Sequence, residues 1–279
     1  VLACSCLGGR LALMASVVGA AIFTTTRLVS GAIMLLLVVR LGHESGIHGG
    51  NWLSALALFA YGACFSYAYA SLPAATGALL LFGAVQATMI GYGIRAGEHF
   101  RKLQIVGLIL AFAGLVGLLL PGISAPPVSG SLLMLSAGAA WGVYSLRGKT
   151  ASDPTQVTAG NFLRAVPFTL ALSVATLRGI DLDATGIGYA IASGALASGL
   201  GYIIWYTVLP FLKATNAATV QLSVPVIAAV GGIVFLGEPI TLRLALTSIA
   251  ILGGIALVTA QDKRAHAEDR SIRSADGPN

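Results

Sequence analysis

Charge is the scarcest ingredient of this 279-residue chain. Its 16 Lys and Arg and 10 Asp and Glu make up 9% of the residues, where a soluble chain carries roughly 25%. With 57% hydrophobic residues and a mean hydropathy of +0.89, an ordinary soluble surface is excluded. Cysteine is also scarce: Cys4, Cys6 and Cys64 show neither a disulfide framework nor metal-ligand spacing. Acids and histidines avoid the apolar runs. All ten carboxylates (Glu44, Glu98, Asp153, Asp181, Asp183, Glu238, Asp262, Glu268, Asp269, Asp276) and all four histidines (His43, His48, His99, His266) fall in turns, at run ends or in the C-terminal tail. An obvious buried proton relay is therefore missing from the residues present, and a Ser/His/Asp or metal-type active site within a membrane is unsupported. There is no Walker A sequence, so ATP does not drive this chain directly. No cleavable signal peptide is expected, because no positive segment precedes the first apolar stretch.

What the chain does contain is long apolar runs. A spanning helix needs about 20 mostly apolar residues, and nine candidates follow one another at about 17–40, 51–71, 74–95, 103–120, 129–148, 155–177, 186–212, 216–236 and 241–260. The stretch from Val1 to about Leu7 is too short to cross. Glycine reaches 35 residues without a three-residue period, which suits close helix packing in a bilayer rather than collagen. The net charge of +6 is assigned to loops that set membrane orientation rather than to nucleic-acid binding.

An internal repeat organises these spans. Gly97-Glu98 and Gly237-Glu238 each close a span at an offset of 140, and the same offset pairs Ala113-Gly114 with Gly253-Gly254, Phe65 with Trp205 and Thr76 with Asn216. At an offset of 137, Thr24–Arg27 matches Asn161–Arg164. Residue 1 then maps near Trp141, in the middle of its span. The expected architecture is an all-α polytopic membrane protein with a ten-helix inverted repeat (5+5), its first helix truncated in this sequence. The repeats occupy 1–122 and 129–260, followed by a charged tail at 261–279.

Loop cations give the expected orientation. Arg40, Arg95, Arg101, Lys102, Arg147, Lys149, Lys213 and the tail cations collect on one side, against Arg10, Arg178 and Arg243 on the other. The positive-inside rule puts the richer side, and both termini, in the cytoplasm. An odd number of spans per half makes the halves antiparallel, an arrangement used by alternating-access carriers.

The sequence resembles the EamA-type members of the drug/metabolite transporter superfamily. The resemblance rests on Ala140-Trp141-Gly142, on Arg27 and Arg164, and on the Gly-Glu endings at Glu98 and Glu238 followed by Gly-rich spans. It covers nearly the whole chain as two tandem units. It implies a carrier of the cytoplasmic membrane, commonly an exporter of amino acids or other small metabolites. One departure is Gly83-Ala-Val-Gln86, where many relatives carry a Pro that the matching span keeps as Pro225.

Candidate substrate-binding residues follow from polarity inside the spans. Arg27 and Arg164 are the only charges clearly within them, and each costs about 2.5–3.5 kcal/mol at mid-span unless it meets a cavity or partner. Either one attracts a substrate carboxylate, which guanidinium binds bidentately, or braces helix-end carbonyls. Thr24 and Asn161 share their faces. Pro225 denies the Gln221 carbonyl its helical partner, and with Gln86 the Gln221 amide either lines the cavity or joins helices. Trp141 and Tyr144 share one face, as cavity wall or helix packing, beside a Gly138/Gly142 close-packing pair. Trp52, Tyr67, Tyr69, Trp205 and Tyr206 read as an interfacial belt. Glu98 and Glu238 read as structural charges at the start of the helix that follows each, within reach of Arg101, Lys102 and Arg243.

The function expected is a secondary transporter, with no catalytic residues, metal or cofactor. Its partners are a small-molecule substrate and the lipid bilayer, with a homodimer left open and no nucleic acid. A lipid-intermediate or drug-like solute carrier of the same fold is the alternative within transport, and a non-transporting sensor or scaffold the alternative outside it.

Overall fold

Helices account for the regular structure wherever the computed structural model describes the chain: residues 6, 10, 19–42, 47, 49–95, 102–120, 125–148, 153–176, 184–208 and 214–257, without the side chains of 94, 206 and 214–223. Nine helices follow one another among these residues. They are α1 (Ala20–Leu41), α2 (Trp52–Tyr69), α3 (Ala74–Arg95), α4 (Lys102–Leu119), α5 (Val128–Gly148) and α6 (Pro154–Ala175), then α7 (184–208), α8 (Ala214–Leu236) and α9 (Leu242–Leu257). Each matches one apolar run read from the sequence, displaced by only a few residues at its ends. Six are long and apolar enough to cross a membrane. Helix is the form in which a single apolar segment satisfies its own backbone groups in lipid. The expected tenth helix falls on residues 1–18, of which only Cys6 and Arg10 are described, both helical. The tail at 261–279 lies outside the described residues.

Local chemistry fixes the helix ends. Asn51 caps α2 by accepting the Ser54 N–H at 2.8 Å, and Asp153 caps α6 by accepting from Thr155 and Gln156 at 2.9 and 3.0 Å, with Pro154 in the first helical position, where no N–H is needed. Gly237 ends α8 at φ +62°, a conformation suited to glycine. Two prolines lie inside helices, Pro167 in α6 and Pro225 in α8. The largest irregularity is in α7, where Ser193–Leu200 forms a π-helical segment between α-helical stretches Ala184–Ala192 and Gly201–Val208.

Small residues set the crossings. On α5, a Cβ at Gly138 would collide with the Leu81 carbonyl and reach 2.6 Å from Ala84 Cβ, and one at Gly142 would lie 2.9 Å from Thr88, so α5 lies directly on α3. α5 also packs on α2, and α1 packs on α6 and on the π segment of α7, while α8 packs on α3. Gly114 of α4 faces Ile251 of α9, and Gly254 of α9 faces Ala111 of α4. That crossing is reciprocal at the 140-residue offset found in the sequence. Large apolar side chains such as Leu37, Ile109, Phe112, Phe235 and Ile249 remain on the outside, as a lipid-facing surface requires. Tyr69 departs from the interfacial belt: it is wholly buried, edge-on to Phe65 at 4.7 Å, with its hydroxyl donating to the Ala74 carbonyl at 3.3 Å.

Candidate functional site

Arg27 enters the protein centre from the second turn of α1, about 10 Å along the helix from its start. It is only 1% exposed. Its Nε donates to Ser198 Oγ at 3.0 Å and its Nη2 to the Tyr61 hydroxyl at 3.3 Å. Aromatic rings cover the guanidinium, with Phe65 at 4.7 Å and Tyr61 at 5.5 Å from its central carbon, a cation–π arrangement. The π segment of α7 carries Ser198 to this position. Such segments recur where a side chain must be placed at a functional site. Close approach of α7 to α1 depends on Gly194, whose added Cβ would overlap Ser30 Oγ and the Arg27 carbonyl.

One charged nitrogen here lacks a partner. Arg27 Nη1 is buried with no hydrogen bond, and among the described residues Arg27 has no ion-pair partner; the Tyr202 hydroxyl, also buried, faces that of Tyr61. Arginine cannot shed its proton in a protein, so among the described residues the positive charge of the cluster is uncompensated. Around it the rings are continuous: Tyr61–Trp141 at 5.0 Å, Trp141–Tyr202 at 4.8 Å, Trp141–Tyr144 at 5.6 Å and Phe162–Tyr202 at 5.7 Å. Trp141 and Tyr144, grouped by sequence spacing, thus join Arg27 in one cluster. Trp141, Phe162 and Tyr202 are each at most 1% exposed. The cluster is closed.

Arg164 stands elsewhere, in a polar network where α2 begins and α5 ends, and Asn161 joins that network to the ring cluster through the Tyr144 hydroxyl. Arg164 Nη1 donates to the Gly49 carbonyl at 2.8 Å and to the Gly160 carbonyl of its own helix at 3.0 Å. Asn161 Oδ1 accepts the Asn51 N–H at 2.9 Å. Arg147 donates to Ser54 Oγ at 2.9 Å and to Asn51 Oδ1 at 3.0 Å. Gly160 lies against the Gly49 carbonyl with no room for a Cβ. Gln86 is separate again. It lines a small cavity of about 50 Å³ between α3, α4 and α9, with Leu108, Phe112, Leu115 and Ile251. Gln221 lies in α8 four residues before Pro225, and its side chain is outside the described ones.

Comparison with known proteins adds a family to this geometry. A model of the EamA-like transporter family matches residues 128–260. An uncharacterized protein of Pseudomonas aeruginosa is 51% identical over 252 residues, covering 90% of this chain and 88% of the relative. The chain belongs to the EamA-like transporter family. Another relative in this setting is the threonine/homoserine exporter RhtA of Salmonella typhimurium, 31% identical over 169 residues. That match takes in 57% of this chain, and the chain spans little more than half of the exporter's length, 54%. A crystal structure of a protein 20% identical superposes with a TM-score of 0.68 over 92% of this chain and 95% of its own, a likeness of fold.

In this member of the family, five residues of the Arg27 cluster were not singled out from the sequence: Tyr61, Phe65 and Phe162 as ring partners, Ser198 and Tyr202. Tyr61 and Tyr202 lie well inside apolar runs, a depth at which a hydroxyl needs a purpose, and that was the available signal. Glu238 also differs from expectation. Both its oxygens accept the backbone N–H of Ala74 at 2.9 Å, capping α3 rather than the helix that follows Glu238, and it pairs with Arg10 at 3.6 Å. Arg10 in turn donates to the Tyr69 carbonyl at 2.7 Å. Groups of three or more His, Cys, Asp or Glu suited to a metal are absent among the described residues.

Proposed function

We propose that this protein is a secondary carrier that exports small amino acids or related metabolites, and that Arg27 receives the substrate's carboxylate at the centre of the bundle. The observation that carries this reading is the buried guanidinium with a free Nη1 and no acidic partner among the described residues. Burying a charge without a counter-charge is costly, and a bound carboxylate both neutralises it and occupies Nη1. The Tyr202 hydroxyl, beside that of Tyr61, is a second donor within the same cluster. Trp141, Tyr144 and Tyr61 form the surrounding wall. The relatives named as threonine/homoserine exporters favour a small amino acid as cargo. Asn161, Arg164, Gln86 and Gln221 are proposed to act beyond this first contact, on the helices that must move.

The architecture proposed is a 5+5 inverted repeat over 1–122 and 129–260, the tenth helix being the segment that contributes Cys6 and Arg10. The reciprocal Gly114/Gly254 crossing supports it. The cation-rich ends, with Arg40, Arg95 and Arg147, are placed in the cytoplasm. Because the cluster's side chains are buried, export requires the halves to separate alternately about it. No step calls for bond chemistry, so the protein is read as a carrier and not an enzyme. The test is counterflow: proteoliposomes preloaded with unlabelled L-threonine or L-homoserine should accumulate the labelled solute. Folded protein that exchanges neither solute, nor any of a panel of amino acids, would remove the carrier reading.

A further inference from the structure

A second cavity, of about 380 Å³, lies where α3 and α9 begin and α8 ends, within the roughly 300–1,000 Å³ of small-molecule sites. It is far along the bundle from Arg147 and Arg164, at the face carrying Glu238 and Arg10. Glu238 and Arg243 line it with opposite charges, Thr76 adds a hydroxyl, and Leu118, Pro127 and Ile233 give it an apolar wall. Glu238 is a hidden acid, its side chain 12% exposed. Both oxygens share one donor, the Ala74 N–H, and Arg10 Nε stands 3.6 Å away, outside hydrogen-bond distance, without any hydrogen bond of its own. A carboxylate has about four acceptor positions, so most of the bonding capacity of Glu238 is unspent. The close seat of this acid is built in: a Cβ at Gly232 would lie 2.6 Å from Glu238 Oε2.

We propose that this cavity is a second binding site for a zwitterion, its ammonium on Glu238, its anionic group on Arg243 and its apolar part against Leu118, Pro127 and Ile233. The proposal rests on the carrier reading above: an exported amino acid leaving Arg27 is held here before release at the outer face. The same ammonium–anion pair is carried by a phosphoethanolamine lipid headgroup, and the lining residue Ile240 is largely exposed, so both sources reach the site. Glu238→Gln keeps an oxygen for the Ala74 N–H while removing the charge.

Equilibrium dialysis of the purified full chain against labelled L-threonine and L-homoserine tests it, with folding checked by size-exclusion chromatography. The expected stoichiometry is two per wild-type chain, falling to one in Glu238→Gln, one in Arg243→Gln and one in Arg27→Ala. Repeating the measurement in nanodiscs of phosphatidylcholine with and without phosphatidylethanolamine separates the sources. Two sites in both lipids assign the cavity to the free amino acid, and loss of the Glu238-dependent site only when phosphatidylethanolamine is present assigns it to the headgroup. A wild-type stoichiometry of one, abolished by Arg27→Ala and untouched by Glu238→Gln, would overturn the second site and leave the carrier reading standing. Absence of any binding to folded wild type would overturn both.

Discussion

Arg27 and Arg164 occupy matching places at a 137-residue offset, yet the structure gives them different company. Arg27 is sealed among rings and two hydroxyls with one nitrogen unmatched. Arg164 is half-buried and spends Nη1 on two backbone carbonyls. Each has a glycine contact beside it, Gly194 against the Arg27 carbonyl and Gly160 against that of Gly49. The lesson is that a matching place in the sequence does not bring matching surroundings. What its neighbours leave unsatisfied decides whether a cation can take a ligand or only braces the fold.

The comparison breaks first at Arg27. Arg27→Ala should weaken solute binding by about 1.5–3 kcal/mol, the worth of a charged hydrogen-bonding anchor, or roughly 10–150-fold. Arg27→Lys should restore little of it, since an ammonium lacks the planar fork. Saturation curves in the counterflow assay read this out. Gly194→Val comes next: a side chain there forces α7 from α1, at a cost of about 1–3 kcal/mol for overpacking, and takes Ser198 off Arg27. Thermal unfolding should fall and exchange should fall with it, although Arg27 itself is intact.

Arg164→Ala should do the opposite of Arg27→Ala. Leaving the Gly49 carbonyl short of its donor should lower stability by about 1–3 kcal/mol, measured by thermal unfolding in detergent, with KM unchanged per folded molecule. A raised KM would return Arg164 to the binding site. The smallest effect is expected from Tyr202→Phe. Removing a buried hydroxyl that faces only the Tyr61 hydroxyl should change stability little, while affinity falls by about 0.5–1.5 kcal/mol if the hydroxyl reaches the solute. Unchanged affinity would confine Tyr202 to packing.

The helices were legible because lipid-spanning segments announce themselves as uninterrupted apolar runs, and each of the nine runs became a helix within a few residues. Their facing was not. Spans apolar all round carry almost no stripe to show which side looks inward, so the rings of Tyr61 and Tyr202 could not be aimed at Arg27 from sequence. The π segment at Ser193–Leu200 was also hidden, because it lies unmarked inside the apolar run at 186–212. Tyr69 looked interfacial by its place at a span end, but the turn into α3 folds Ala74 over it. Trp141 and Tyr144 were grouped correctly because three residues in a helix fix a shared face whatever surrounds it.

The central claim is that the substrate's carboxylate meets Arg27 and not Arg164. Binding of labelled L-threonine to Arg27→Ala and Arg164→Ala, prepared in parallel in the Glu238→Gln background so that only the central site is counted, tests it most directly. The account predicts affinity lowered roughly 10–150-fold in the first and wild-type affinity in the folded fraction of the second. Undiminished affinity in Arg27→Ala would contradict it.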